Sequence, residues 1–244
     1  MVGCIYLGVC AGLYWLQDML IFPAHLVANG TSGKHLIIPT DQGNTQVLII
    51  DKQAPCDVIY FGGNAEAVDA SQADLARAFE RCNIVSMIYR GYGPSDGTAS
   101  EEHLCADALA LYRQRQASVQ QFFVVGRSLG ASVATYLASQ VAVRQLILVT
   151  PFASLHQLVH EKFVWLPTHL MLKNSFDSDQ FARSVTAPVH IIMAENDEII
   201  PAQHPLALQA AFIRTRAHLS RLEKVGHNTV DEHPAYIDTL GRVF

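Results

Sequence analysis

Apolar positions along this chain change their period twice, and each change marks a different kind of element. Residues 1–16 carry no charge, Gln17 and Asp18 interrupt the apolar stretch, and residues 19–23 resume it. After Gly30-Thr31-Ser32-Gly33, short β-branched runs take over at 36–39 and 46–51, each closed by turn residues. Two such runs predict an antiparallel hairpin. Beyond it, near-continuous apolar runs at 58–61, 84–89, 122–125, 146–150, 189–194 and 219–225 alternate with stretches of helical length. The clearest helices are predicted at 70–82, 101–116 (with Ser100 as N-cap) and 129–140. Strands without polar alternation are buried on both faces. The pattern therefore predicts an α/β fold, a mainly parallel sheet with helices on both sides. Residues 155–183 break the rhythm, being too long and too apolar for a plain loop. They read either as a small helical insert over the strand ends or as an ordinary helix with a long lead-in.

The N-terminal stretch admits three readings. A cleaved signal calls for a basic leader and a small-residue cleavage site, yet the first lysine is Lys34. A spanning helix needs about 20 apolar residues, which fits if Asp18 lies near an interface, where Tyr14 and Trp15 suit an aromatic belt. A helix packed on the domain is the third. The division expected is a hydrophobic segment over 1–23, acting as a membrane anchor, and one domain over 24–244.

Composition narrows the function classes. Half of the 244 residues are hydrophobic, 16% are charged, and the formal net charge is −5. With no run of Lys and Arg to neutralise phosphates, a nucleic-acid partner is not expected. Eleven histidines form no HExxH pattern, so neither metal nor cofactor is assigned. Five cysteines (Cys4, Cys10, Cys56, Cys82, Cys105) show no CxxC spacing. They are expected as buried free thiols rather than a disulfide framework.

In open parallel sheets ligands bind at the carboxyl ends of strands, so chemistry is sought just after each run. After 122–125 comes Gly126-Arg127-Ser128-Leu129-Gly130, a strand, a sharp turn and a helix start. That order presents a serine above the sheet and leaves room for close backbone approach at the glycines. Ser128 needs a base, and the base needs an orienting carboxylate. After 189–194, Asp197 is the chosen acid, with Glu195 as rival and Glu198 as a solvated loop acid. After the last run, His227 follows Gly226 as the base. His233 is the rival, although it precedes Pro234 and reads as the start of the final helix. After 58–61, Gly62-Gly63-Asn64 supplies a turn whose Gly63 and Asn64 amides would face an oxyanion together with the Leu129 N–H. A glycine-rich turn with no catalytic part is the plainer alternative.

Several of these pieces recur in order in a known group. The chain resembles the α/β-hydrolase superfamily, in particular its membrane-anchored ABHD-type serine hydrolases. The resemblance rests on Leu20-Ile21-Phe22-Pro23, Tyr60-Phe61-Gly62-Gly63-Asn64-Ala65 and Tyr89-Arg90-Gly91-Tyr92-Gly93-Pro94-Ser95-Asp96-Gly97. It rests equally on the Ser128 segment, Thr150-Pro151-Phe152-Ala153-Ser154-Leu155, Asn196-Asp197-Glu198-Ile199-Ile200-Pro201 and Gly226-His227-Asn228. It implies an α/β-hydrolase fold, a Ser128–Asp197–His227 triad and an N-terminal anchor. It also implies an acyl ester or thioester as substrate; the apolar residues of 155–183, as lid or acyl-binding wall, point to a lipophilic acyl group. Two positions depart from that group, which carries histidine where Gly62 stands and glycine where Ala194 or Glu195 stands. A peptidase of the same fold, or a silent binding protein on it, are the competing expectations.

Overall fold

The computed structural model describes residues 2–27 and 33–243. Helix α1 (Val2–Ile21) comes first. The hairpin follows as β1 (Lys34–Thr40) and β2 (Gly43–Ile50), antiparallel as expected. Next come β3 (Cys56–Phe61), α2 (Val68–Ala78), β4 (Asn83–Met87), α3 (Glu101–Arg115), β5 (Gln121–Arg127), α4 (Leu129–Gln140) and β6 (Gln145–Val149). Three short helices, α5 (Leu155–Lys162), α6 (Thr168–Met171) and α7 (Ser178–Ala182), fill the stretch before β7 (Val189–Ala194). The chain closes with α8 (Gln203–Ala211), β8 (Ala217–Leu222) and α9 (Tyr236–Leu240).

The strands form one sheet in the order β1-β2-β4-β3-β5-β6-β7-β8. Its β1–β2 and β2–β4 pairs are antiparallel, and every pair from β4 to β8 is parallel. Every residue of β4, β6 and β7 is buried, which is why those runs show no polar alternation. Ser100 caps α3 as expected, accepting the His103 N–H at 3.1 Å. After β3 the chain moves outward to β4, then crosses back to lay β5 on the other side of β3. Helices leaving β3 and β5 thus depart in opposite directions and open a crevice at their carboxyl ends. That crevice lies where Gly62–Asn64 and Ser128 emerge.

Buried charges brace this frame. Arg90, nearly inaccessible, grips Asp107 with two hydrogen bonds (2.8 and 2.7 Å) and reaches Asp41 at 2.6 Å. Asp57, fully buried, accepts from Arg115 at 2.6 and 3.0 Å and from Asn83 at 2.8 Å. Removing one partner of such a pair strands a buried charge, at a cost of about 3–5 kcal/mol.

The cysteine expectation is corrected. Cys56 and Cys82 form a disulfide, with Cα atoms 4.8 Å apart. The reason is register: β3 and β4 pair in parallel with Asp57 opposite Asn83, which sets the preceding residues side by side. Cys4, Cys10 and Cys105 are free, and of these only Cys105 is buried.

Candidate active site

Ser128 sits between β5 and α4 with φ +51° and ψ −115°. This backbone is unfavourable for a side chain bearing a β-carbon, and costs about 1–3 kcal/mol unless its surroundings enforce it. They do so through close packing. A β-carbon on Gly130 would lie 2.1 Å from the Phe61 carbonyl oxygen, and one on Gly126 would lie 2.3 Å from the Gly130 oxygen. The two glycines let α4 start hard against β3 and β5, and the Ser128 N–H donates to Val149 O at 2.9 Å.

The residues read from three distant segments meet here. His227 Nε2 lies 3.1 Å from Ser128 Oγ, and His227 Nδ1 lies 2.9 Å from Asp197 Oδ2. Both the histidine and the aspartate side chains are buried. With Asp197 facing it, Nδ1 carries the ring proton and donates, leaving Nε2 to accept from the serine hydroxyl. The other Asp197 oxygen accepts the Ile199 and Ile200 N–H groups at 3.0 and 2.7 Å, so the carboxylate cannot rotate freely.

The rivals have other partners. Glu195 faces outward and pairs with Arg221 at 2.6 Å. The Lys224 N–H, then Arg221, hold its carboxyl below the usual range. His233 Nδ1 accepts the Ala235 N–H at 3.1 Å, ahead of α9. Glu198 does more than a solvated loop acid would, accepting the His227 N–H at 3.1 Å. Gly226 makes this possible, because a β-carbon there would lie 2.6 Å from Glu198 Oε2. Arg127, largely buried, approaches from the other side and donates to His227 O at 3.4 Å.

The turn after β3 is anchored at each residue. Tyr89 OH donates to Gly62 O and Tyr92 OH to Asn64 O, both at 2.7 Å. Glu66 accepts the Gly63 N–H at 2.8 Å, so Gly63 helps to shape the turn while its own amide is committed. Among the described residues no acceptor engages the Asn64 or Leu129 N–H. The braces Tyr89, Tyr92, Glu66 and Arg127 went unassigned in the sequence reading. Tyr89 and Tyr92 belong to the Tyr-Arg-Gly-Tyr segment quoted above, so a signal for them was present without a role attached. At the departing position, a β-carbon on Gly62 would lie 2.8 Å from the Val68 side chain. Glycine there matches the close approach of α2.

Ser128 and Asn64 open onto a cavity of about 330 Å³ whose walls include Phe152, Leu158, Met171 and Ile200. Part of this lining comes from the 155–183 stretch. A larger cleft of about 920 Å³, bounded by Glu101, Arg113 and Lys173, contains none of the groups just described.

The sequence pattern of the alpha/beta hydrolase fold family matches residues 58–187, more than half of the chain, and the protein belongs to that family. Among relatives, it is similar to the Mycobacterium tuberculosis (strain ATCC 25618 / H37Rv) protein Rv2307c, 36% identical over 172 residues, covering 68% of this chain and 61% of the relative. It is also similar to lysophosphatidylserine lipase ABHD12 of Danio rerio, 30% identical over 141 residues, covering 50% of this chain and 37% of the relative. This chain therefore spans less than two thirds of the length of both. Among solved structures, the Pyrococcus furiosus esterase Pf2001 superposes with a TM-score of 0.70 at 17% identity, over 90% of this chain and 91% of the other. At that identity the likeness speaks for the fold.

Proposed function

We propose that the protein is a serine hydrolase that cleaves acyl esters or thioesters with a lipophilic acyl group. The observation that carries this reading is the unbroken chain Ser128 Oγ, His227, Asp197, at 3.1 and 2.9 Å, beside an apolar cavity. The lipase among the relatives supports the same reaction class.

In this reading, Ser128 Oγ attacks the substrate carbonyl carbon while its proton passes to His227 Nε2. The negative charge that develops on the carbonyl oxygen is met by the Asn64 and Leu129 N–H groups. Each such donor is typically worth about 2.7–4 kcal/mol of transition-state stabilisation. Asp197 holds the imidazole in its productive tautomer and favours the imidazolium. The leaving alcohol or thiol takes the proton from His227 and departs, leaving an acyl group on Ser128. Water then gives a proton to His227 and attacks the acyl carbon, and return of that proton to Ser128 Oγ frees the acid. No step needs a cofactor.

A fluorophosphonate probe tests the nucleophile. Folded protein should label at Ser128, and Ser128→Ala should not; labelling that is absent from the unsubstituted protein overturns the reading. Turnover of acyl nitrophenyl esters against aminoacyl amides tests the class. Exclusive amide cleavage would turn the assignment to a peptidase.

The same reading makes α1 a membrane anchor. Gly3–Ile21 is long and apolar enough to cross a bilayer and is almost entirely unburied. Cosedimentation with vesicles that Triton X-100 abolishes is expected, and free protein in the supernatant would refute it.

A further inference from the structure

A tether asks only length and apolarity of a helix, but α1 carries a face with specific partners. Leu13, Gln17, Leu20 and Ile21 recur at helical spacing and line the cavity that opens on Ser128. Gln17 is a buried polar side chain in an apolar helix, which is costly unless its groups are satisfied. They are: Nε2 donates to Met171 O at 3.0 Å and Tyr14 O at 2.9 Å, and Oε1 accepts the Lys173 N–H at 2.8 Å. Asp18 adds Lys173 Nζ and the Asn174 amide, both at 3.0 Å.

The docking extends to both ends of the helix. Asn174 passes the connection to α3 by accepting the Glu101 N–H at 2.8 Å. Towards the C-terminus, Phe22 stacks edge-on against Phe176, and Ile21 O accepts from the Asn64 side chain at 3.2 Å. Near the N-terminus, Tyr6 OH donates to Trp165 O at 3.0 Å. Away from the cavity, α1 keeps Trp15 and Met19 exposed on its far side and Leu7 and Leu16 exposed on its flanks. One face is thus latched over the cavity, while the other is free to meet lipid.

We propose that α1 is part of the substrate site as well as an anchor, forming the wall along which the acyl chain lies. The Gln17–Asp18 pair clamps that wall to the 171–174 loop, and Leu13 sets how long a chain fits. The inference rests on the serine-hydrolase reading above and names the pocket that gives it chain-length preference. It also ties acyl binding to the oxyanion turn, since Asn64 holds the end of the same helix.

The test is the ratio of kcat/KM for dodecanoyl over butanoyl nitrophenyl ester, measured on the full chain in detergent micelles. Each buried methylene contributes about 0.8 kcal/mol, close to four-fold in kcat/KM, so a blocked pocket reads clearly. Leu13→Trp should lower the ratio at least ten-fold. Leu13→Ala should move the preferred chain to greater length, which keeps the test decisive if the larger side chain impairs folding. Leu16→Trp, on an exposed flank, should leave the ratio within two-fold. Unchanged chain-length profiles in both Leu13 variants, with Ser128-dependent turnover intact, overturn the inference and leave the serine-hydrolase reading standing. An unsubstituted protein that neither labels at Ser128 nor turns over any ester overturns both.

Discussion

Asp197 shows how a single residue can be tested without disturbing its surroundings. Its Oδ1 accepts two backbone N–H groups and its Oδ2 faces His227. In Asp197→Asn the amide oxygen keeps the two backbone bonds, so the NH2 group must face Nδ1. That forces the ring proton onto Nε2, the wrong tautomer for accepting from Ser128. Ester turnover should fall by about 10⁴-fold while the melting temperature stays within a few degrees. Matching kcat in the two proteins would remove Asp197 from the proposed triad. Ser128, Asp197 and His227 were legible at this scale because each follows an apolar run directly. The Tyr89 and Tyr92 braces were not, because their targets are backbone atoms 27 and 28 residues away in sequence.

At the scale of elements, the disulfide joins the start of β3 to the approach to β4, over a sequence separation of 26 that takes in the turn after β3 and α2. By chain entropy, closing a loop of that length stabilises the fold by about 3.5 kcal/mol. Urea unfolding with and without reductant should show a loss of that order, and Cys56→Ser/Cys82→Ser should be insensitive to reductant. Identical midpoints in all four samples would refute the crosslink. Disulfides form and persist in oxidising compartments. Strand and helix positions were read from the sequence to within a few residues, and β7 and α4 to the residue, since hydrophobic period and glycine placement are local. The 155–183 stretch has no single period. Of its three helices, α5 and α6 line the cavity at Ser128, whereas α7 packs against α4 and α8.

For the whole molecule, β7 carries a titratable group into the core. His190, fully buried, bonds Ser220 Oγ through Nε2 at 2.8 Å. Burial first, then the nearby Arg242 and His218 charges, push its pKa from 6.5 to about 4. Between those values the unfolded chain takes up a proton that the folded chain refuses, so stability rises with pH. The contribution is complete above about 6.5 and is lost as pH falls through about 4. Thermal melts across pH 4 to 7 should show this slope, and His190→Gln should reduce it. An equal slope in both proteins would place the dependence elsewhere.

What the sequence by itself determined was everything with a local cause. Unalternating apolar runs specify strands covered on both faces. Glycines flanking a serine specify a tight turn, and residues directly after strands specify where chemistry gathers. Only the tertiary structure decided what depends on register and distance. Parallel pairing of β3 with β4 joined two cysteines that spacing left apart. The latch of Gln17 and Asp18 onto the 171–174 loop turned an apparent interruption in an apolar helix into its point of attachment. Such contacts are set by packing between separate segments, 26 residues apart for the cysteines and more than 150 for the latch, and no periodicity within either segment records them.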